Sequence, residues 1–335
     1  MATSDYPTRR RFLTASASAL AAATFTSSHQ AAEVKPPAAK PIRNSFVYRF
    51  AIGDLEAWSI SDASSSLREG LGLMWPEEAR ATMKEDLIAR GERTDLLPLY
   101  VNILVVKVGN EIALFDGGFG PGKNPNSGWV AEALASIGIL PEKVTHTFLS
   151  HAHIDHIGGF VNGNKASFPH AALHCLKAEL DFWRSPEPDF SKSKRAKGPL
   201  PGMIKDARDK FDVLQPNLQL VQPGDTLLGG AIEVVAGPGH TAGHALFRVR
   251  SGKESLLHFM DVAHHHTLMF TDPNWGIAFD HEPDLARDTR RKLFAELSTT
   301  HERSYGFHLP WPGIGRVAQA RRGYTWEQER WSWGI

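Results

Sequence analysis

One stretch constrains this chain more than any other: Ser150-His151-Ala152-His153-Ile154-Asp155-His156-Ile157-Gly158-Gly159. Four side chains able to bind a metal occupy six consecutive positions, directly after an apolar run, residues 144–149, that reads as a short buried strand. At strand spacing His151 and His153 project to the same side, and the turn that follows lets Asp155 and His156 aim at a second point nearby. The two glycines permit the tight turn into the next segment. Imidazole and carboxylate are ligands suited to zinc, manganese, iron or cobalt. The chain holds 16 histidines, clustered rather than scattered, which favours ligation over a solvated surface run.

Charge narrows the partners. Lys+Arg and Asp+Glu both number 37, so no basic excess points to nucleic acid or acidic lipid. A small molecule is the expected partner. A hydrophobic share of 42% suffices for a sizeable core. The single cysteine, Cys175, excludes an intrachain disulfide and a cysteine-pair metal site, and reads as a small buried hydrophobe.

The first residues read as targeting. Thr8-Arg9-Arg10-Arg11-Phe12-Leu13 precedes an Ala-rich apolar run to about residue 25, too short to span a bilayer stably. The arginines followed by Phe-Leu resemble a twin-arginine export signal, with a Sec signal or an unprocessed basic tail as alternatives. Residues 1–31 are taken as the signal and 32–45, rich in Ala, Pro and Lys, as a linker, which implies a periplasmic location. No clean Ala-x-Ala motif marks the cleavage point.

Residues 46–335 form one expected catalytic domain. Residues 46–52 and 55–61 alternate around Gly53-Asp54 as a hairpin, and 100–108 and 111–115 around Gly109-Asn110 as another. Between them, 66–98 lacks strand pattern, carries a charged helical stretch at 77–90, and reads as a lid-like insertion that could serve a homodimer. Helices are expected over 129–137, 177–183, 204–213 and 283–297. Strands are expected over 171–176, 218–221, 226–228, 232–236, 245–249 and 255–259. Runs of strands alternating with helices call for sheets covered by helices.

The His-x-His-x-Asp-His stretch resembles the signature of the metallo-β-lactamase superfamily. That likeness implies an α+β fold, a four-layer αβ/βα sandwich with the site at one edge of the sheets. It also implies three further ligands downstream, and each has a match. His240 lies in Gly237-Pro238-Gly239-His240, Asp261 follows the apolar run 256–260, and His308 lies in Gly306-Phe307-His308-Leu309-Pro310. By the resemblance His151, His153 and His240 hold one ion, Asp155, His156 and His308 the other, and Asp261 bridges them. The cofactor implied is two divalent ions, zinc first. The chemistry implied is hydrolysis by a bridging hydroxide, with Asp155 as a proton shuttle by hypothesis. Glu179-Leu180-Asp181-Phe182-Trp183, Asp288-Thr289-Arg290-Arg291-Lys292 and Pro312-Gly313-Ile314-Gly315 resemble the methyl parathion hydrolase and quorum-lactonase branch. Three residues depart from the pattern: Met260 where Gly is usual, Gly117 where Thr is common, and Arg316 where relatives often carry His.

The substrate expected is an ester, lactone or phosphotriester. A β-lactamase is the first alternative, opposed by Asp261 where those enzymes carry Cys or Ser; a glyoxalase II-type thioester hydrolase shares the ligand set. From another class, a flavodiiron-type redox protein wants an acidic ligand and a flavodoxin domain, and a non-catalytic metal binder predicts missing ligands. Phe119 and Trp183 match places of aromatic pocket walls, with Trp75 a weaker candidate. His264-His265-His266 reads as a loop with at most an orienting contact, since the seven ligand places are filled. His244 reads as orienting or packing.

Overall fold

Two seven-stranded sheets frame the protein among its described residues, 46–122 and 126–330 of a computed structural model, with two short two-stranded ribbons beside them. The expected signal and linker, 1–45, lie outside the described residues. The first sheet runs in chain order: β1 (Val47–Ile52), β2 (Leu55–Arg68), β3 (Leu96–Val108), β4 (Glu111–Phe115), β5 (His146–Leu149), β6 (Ala172–Leu176) and β7 (Leu218–Val221). Its first four strands are antiparallel hairpin partners, and β4 to β7 are parallel. The second sheet is also sequential: β8 (Thr226–Leu227), β9 (Ile232–Ala236), β10 (Ala245–Ser251), β11 (Glu254–His258), β12 (Arg303–Tyr305), β13 (Ile314–Gln319) and β14 (Tyr324–Gln328). Only β11 and β12 pair in parallel.

The sheets bury their inner faces against each other. Phe115 on β4 and Phe148 on β5 each place their rings 5.4 Å from Phe247 on β10. Ser59 on β2 bonds the Tyr305 hydroxyl of β12 at 2.7 Å, so the polar atoms caught between the sheets satisfy one another. Helices cover the outside. α1 (Arg80–Ala89) belongs to the excursion between β2 and β3. α2 (Val130–Ser136) packs on β2, and α3 (Lys177–Arg184) packs on β6 and on α4 (Leu200–Leu214). α5 (Pro283–Thr300) packs on β13. Proline at its first turn suits a position whose N–H has no helical partner, and His301 in the left-handed region ends it. This is the αβ/βα sandwich expected.

One boundary moves. Pairing of β2 with β3 continues to Arg68↔Leu96, so residues 66–68 and 96–98 belong to the sheet and the insertion is the shorter excursion 69–95. A bulge between Ser61 and Ala63 shifts which face each later residue takes, and the serines beyond it carry no apolar alternation. Met74–Trp75 pairs with Gly276–Ile277, which ties the excursion to the second half of the domain.

Candidate metal centre

Four strand ends deliver the candidate ligands to one place. β5 runs into Ser150 through His156, β9 into the loop bearing His240, β11 into Asp261 and β12 into His308. The structure brings all seven together, and all but the partly exposed Asp155 are buried. In one group His151 Nε2 lies 2.9 Å from His153 Nδ1, which lies 3.0 Å from His240 Nε2. In the other, Asp155 Oδ2 lies 3.7 Å from His156 Nε2 and 3.5 Å from His308 Nε2. Asp261 stands between them. Its Oδ2 is 3.2 Å from His240 Nε2 and 3.2 Å from His308 Nε2, and its Oδ1 is 3.3 Å from His156 Nε2.

The outer nitrogens explain which atoms face inward. His156 Nδ1–H donates to Asp116 Oδ2 at 2.7 Å, His240 Nδ1–H to Asp280 Oδ1 at 2.8 Å, and His308 Nδ1–H to the Tyr100 carbonyl at 2.6 Å. The Ser150 hydroxyl donates to Asp116 Oδ2 at 2.6 Å, which leaves its oxygen to accept from His151 Nδ1 at 3.0 Å. His153 Nε2 lies 3.2 Å from His281 Nε2. With its proton thus outward, each ring presents a bare lone pair inward, the arrangement of a metal-binding histidine.

Those lone pairs test whether the residues fit a cation. His151 and His240 each bring an acceptor nitrogen to hydrogen-bond distance from that of His153 with no proton left to share. His156 Nε2 and Asp261 Oδ1 are buried with no hydrogen-bond partner among the described residues. Buried acceptors left facing each other cost free energy unless positive charge fills the space. The donor set, imidazole and carboxylate without thiolate, suits divalent zinc, manganese, iron or cobalt. The electrostatics show a centre that draws positive charge to itself. Burial would raise the Asp261 carboxyl, yet His156, His308 and His264 around it hold it well below the usual range. Burial holds His151 and His153 well below the ordinary imidazole value. Burial acts the same way on His156, but Asp261, Asp155 and Asp116 outweigh it and hold that ring well above.

Glu179 locks two ligand loops together from behind. Its fully buried carboxylate accepts from Ala152 N–H at 2.9 Å, Thr241 Oγ–H at 2.6 Å, Gly243 N–H at 3.0 Å and Trp183 Nε1–H at 2.6 Å. Burial nonetheless pushes its carboxyl up. Gly243 is required there, because a Cβ would sit 2.0 Å from the Glu179 backbone nitrogen. His244 works on the other side: Nδ1–H donates to Gly237 O at 2.7 Å and Nε2 accepts the Asp261 N–H at 3.2 Å, the orienting part foreseen for it. Met260, just before Asp261, takes a φ of 49°, which accounts for the glycine usual at that place in the family it resembles.

A cleft of about 180 Å³ opens over the centre, walled by Leu99, Phe119, Ile154, Met203 and Phe279. Phe119 thus stands where a pocket wall was expected. Trp183 does not: its ring is fully buried behind His153, and its indole nitrogen is spent on Glu179. The reason is that α3 turns this residue toward the core. Trp75 lines a larger groove of about 1060 Å³ alongside. The histidine triplet divides. His264 enters the cleft with Nε2 3.2 Å from Asp261 Oδ2, a closer approach than its sequence suggested. His265 and His266 turn away to Glu92. Asp116, Asp280, His281 and Arg195 were missed as parts of the site. Asp116 and Asp280 are lone acidic residues at loop entrances, and no local pattern separates them from solvated ones.

The known proteins similar to this chain agree with that geometry. The family model of the metallo-beta-lactamase superfamily matches residues 96–303. Two probable metallo-hydrolases, from Mycobacterium bovis and Mycobacterium tuberculosis, are each 28% identical over 193 residues, 50% of this chain. The match spans 58% of the length of those relatives. Among solved structures, AidC, a dizinc quorum-quenching lactonase in complex with a product, superposes with a TM-score of 0.82 at 30% identity over 86% of this chain and 99% of its own. The hydrolase AbOPH of the beta lactamase superfamily shares the fold, with a TM-score of 0.77 at 24% identity over 87% of this chain and 99% of its own.

Proposed function

Because this chain belongs to the metallo-beta-lactamase superfamily and carries a His/Asp centre able to hold divalent metal, we propose that it is a two-metal hydrolase of esters, lactones or phosphotriesters, with lactones and aryl esters foremost. The observation that carries this reading is Asp261: one carboxylate placed against both ligand groups, with inward acceptors on every side. His151, His153 and His240 would hold one ion, Asp155, His156 and His308 the other, and Asp261 both. Bound there, a pair of divalent ions, zinc in the first instance, supplies Lewis-acid polarisation and an acidified water.

The chain's own residues do the rest. Asp155 is the more exposed carboxylate of the set and lines the cleft; with Oδ2 turned to His156 and His308, its other oxygen is left to take a proton and pass it to a leaving group. The apolar walls exclude bulk water and favour compact, apolar groups beside the centre. No Ser or Cys nucleophile is called for. The likeness to a quorum-quenching lactonase supports placing lactones ahead of β-lactams.

Purified protein, its metal content measured, should turn over lactones and aryl esters faster than phosphotriesters and far faster than nitrocefin. Nitrocefin turnover above that of every lactone and aryl ester would reverse the ranking; full zinc loading with no turnover of any would leave a metal binder. We further propose periplasmic export by the twin-arginine route. Changing Arg9, Arg10 and Arg11 to Lys should hold the protein in the cytoplasm, and undiminished periplasmic protein would exclude that route.

A further inference from the structure

Arg195 sits where the cleft over the metal centre meets the larger groove, and it lines both. Its setting is unusual for a partly buried cation. The guanidinium lies 4.9 Å from the centre of the Phe279 ring, and Nη2–H donates to the Phe279 carbonyl at 3.2 Å. No carboxylate lies within ion-pair distance of it among the described residues, and its Nε is buried without a hydrogen-bond partner. The same Nη2 lies 3.2 Å from His153 Nε2. On the metal-centre reading His153 turns Nδ1 inward, so its Nε2 carries a proton, and His281 Nε2 at 3.2 Å takes that proton's hydrogen bond. Two donors then face each other, and the arginine gains nothing from the histidine.

A guanidinium has five N–H donors in a fixed fork and no acceptor. Burying one of those donors, here Nε, without an acceptor is costly. Something builds it in place all the same: the Arg195 N–H donates to Ser193 Oγ at 3.2 Å, and that hydroxyl donates to the Asp280 carbonyl at 2.9 Å. The fork is therefore tied to the segment that also carries the Asp280 support of His240. Asp155 and Asp280 act on the guanidinium only through space, without a hydrogen bond, so among the described residues no neighbouring side chain supplies the missing acceptor.

We propose that Arg195 is a specificity-determining residue that binds an acceptor oxygen, carboxylate or amide carbonyl, on the acyl side of the substrate, a few atoms from the scissile bond. This rests on the hydrolase reading above and sharpens it. The scissile group lies over Asp261 and the histidines. The acyl chain passes Arg195 and Phe279, and its remainder runs into the groove beside Met74 and Trp75. The substrate class is an acyl ester or lactone with a second carbonyl or acid group along its chain, not a plain alkanoate. Charge-assisted bonds to a planar fork supply both strength and orientation.

The test uses zinc-loaded protein and three para-nitrophenyl esters of similar length: a plain alkanoate, the monoester of a dicarboxylic acid, and the ester of an N-acylglycine. Wild type should favour one or both of the acceptor-bearing esters by about tenfold in kcat/KM, most of it in KM, as a charge-assisted hydrogen bond gives. Arg195→Met should remove that preference, with a smaller loss on the plain ester than on the acceptor-bearing esters, while Arg195→Lys should keep part of it. Which ester wins separates an acid group from an amide carbonyl, and either supports the assignment. In parallel, calorimetry should find succinate, glutarate or adipate bound more tightly than the monocarboxylate of equal length by wild type and not by Arg195→Met. An equal loss on all three esters, with lowered zinc content, would mean that Arg195 only steadies His153 and would overturn the proposal. So would a wild type with no preference. If no ester is turned over, the hydrolase reading fails on this panel and the calorimetry alone decides: a dicarboxylate advantage lost in Arg195→Met upholds Arg195, and equal binding by both proteins refutes it.

Discussion

Two histidine clusters lie a few residues apart along the chain and are built on opposite rules. Around Asp261, every outer ring nitrogen that is paired donates to an acidic, hydroxyl or carbonyl oxygen or to His281, so the inner nitrogens converge as lone pairs. At His265 the logic is reversed. Its Nδ1 accepts the backbone N–H groups of Thr267 at 3.1 Å and Leu268 at 3.3 Å, capping the one-turn helix Leu268–Thr271. A neutral ring whose Nδ1 accepts must carry its proton on Nε2, and that atom faces Glu92 at 3.7 Å. His266 Nε2 lies 3.6 Å from the same carboxylate, and Thr267 Oγ donates to it. The residues of this second cluster could converge on an ion by distance alone. Its tautomer makes it a latch between the excursion and the loop after Asp261. What separates a metal centre from a polar clasp is where the protons are committed, not how many histidines meet.

The largest expected effect that would break this contrast is at Asp261. Asp261→Ala should lower metal content from about two ions per chain towards one and cut turnover by about two to four orders of magnitude, since one carboxylate serves both groups. Full occupancy with unchanged turnover would require the centre to be redrawn. Next comes Asp116, which holds the His156 proton outward. Asp116→Asn has one accepting oxygen in place of two and cannot serve both the Ser150 N–H at Oδ1 and the His156 ring at Oδ2, so zinc affinity should fall about 10- to 100-fold with the fold intact, by competition with a chromogenic chelator. An unchanged affinity would show that the outer protons do not decide ligation.

The latch should respond in the opposite sense. His265→Ala strips the acceptor from two backbone N–H groups and should cost about 1–3 kcal/mol in urea unfolding, with zinc content unchanged. Zinc loss in that variant would merge the two clusters. Burial holds the His265 imidazole down at about 3, far below its ordinary value. A depressed folded value means that the unfolded chain binds the proton first. The contribution of His265 is therefore complete above about pH 6.5 and lost as pH falls through the window down to about 3. His265→Asn keeps an acceptor and does not titrate. Its stability relative to wild type should improve by about 1.4 kcal/mol per pH unit below 6.5 in metal-free protein, and parallel pH profiles would contradict the burial argument. Smallest is Trp183→Phe. It removes one of four donors to Glu179 and should cost about 1–2 kcal/mol of stability without moving KM. A raised KM would return Trp183 to the cleft wall.

The strands were legible in the sequence because pairing of half-buried strands demands a period of two, and the hairpins because Gly53-Asp54 and Gly109-Asn110 are turn chemistry. The second half of β2 was not legible, because a bulge breaks that period and serines carry no burial signal. The centre divides the same way. His151, His153, Asp155 and His156 lie within six residues and declare themselves, and His240, Asp261 and His308 were found through the resemblance, each just after an apolar strand or helix.

What the sequence determined by itself is the His151–His156 ligand loop and most of the strands around the centre, because both are local: spacing along the chain fixes direction along a strand, and residue type fixes donor chemistry. Only the tertiary structure decided which nitrogen of each histidine faces inward, that His264 enters the cleft while His265 turns to Glu92, that Trp183 supports Glu179 from the core, and that Arg195 stands at the mouth of the groove. Each of those depends on a partner far away in sequence: Asp116 for His156, Asp280 for His240, Tyr100 for His308, Phe279 for Arg195. A hydrogen bond commits a proton only once both of its atoms are in place, and no local pattern records where the second atom will be.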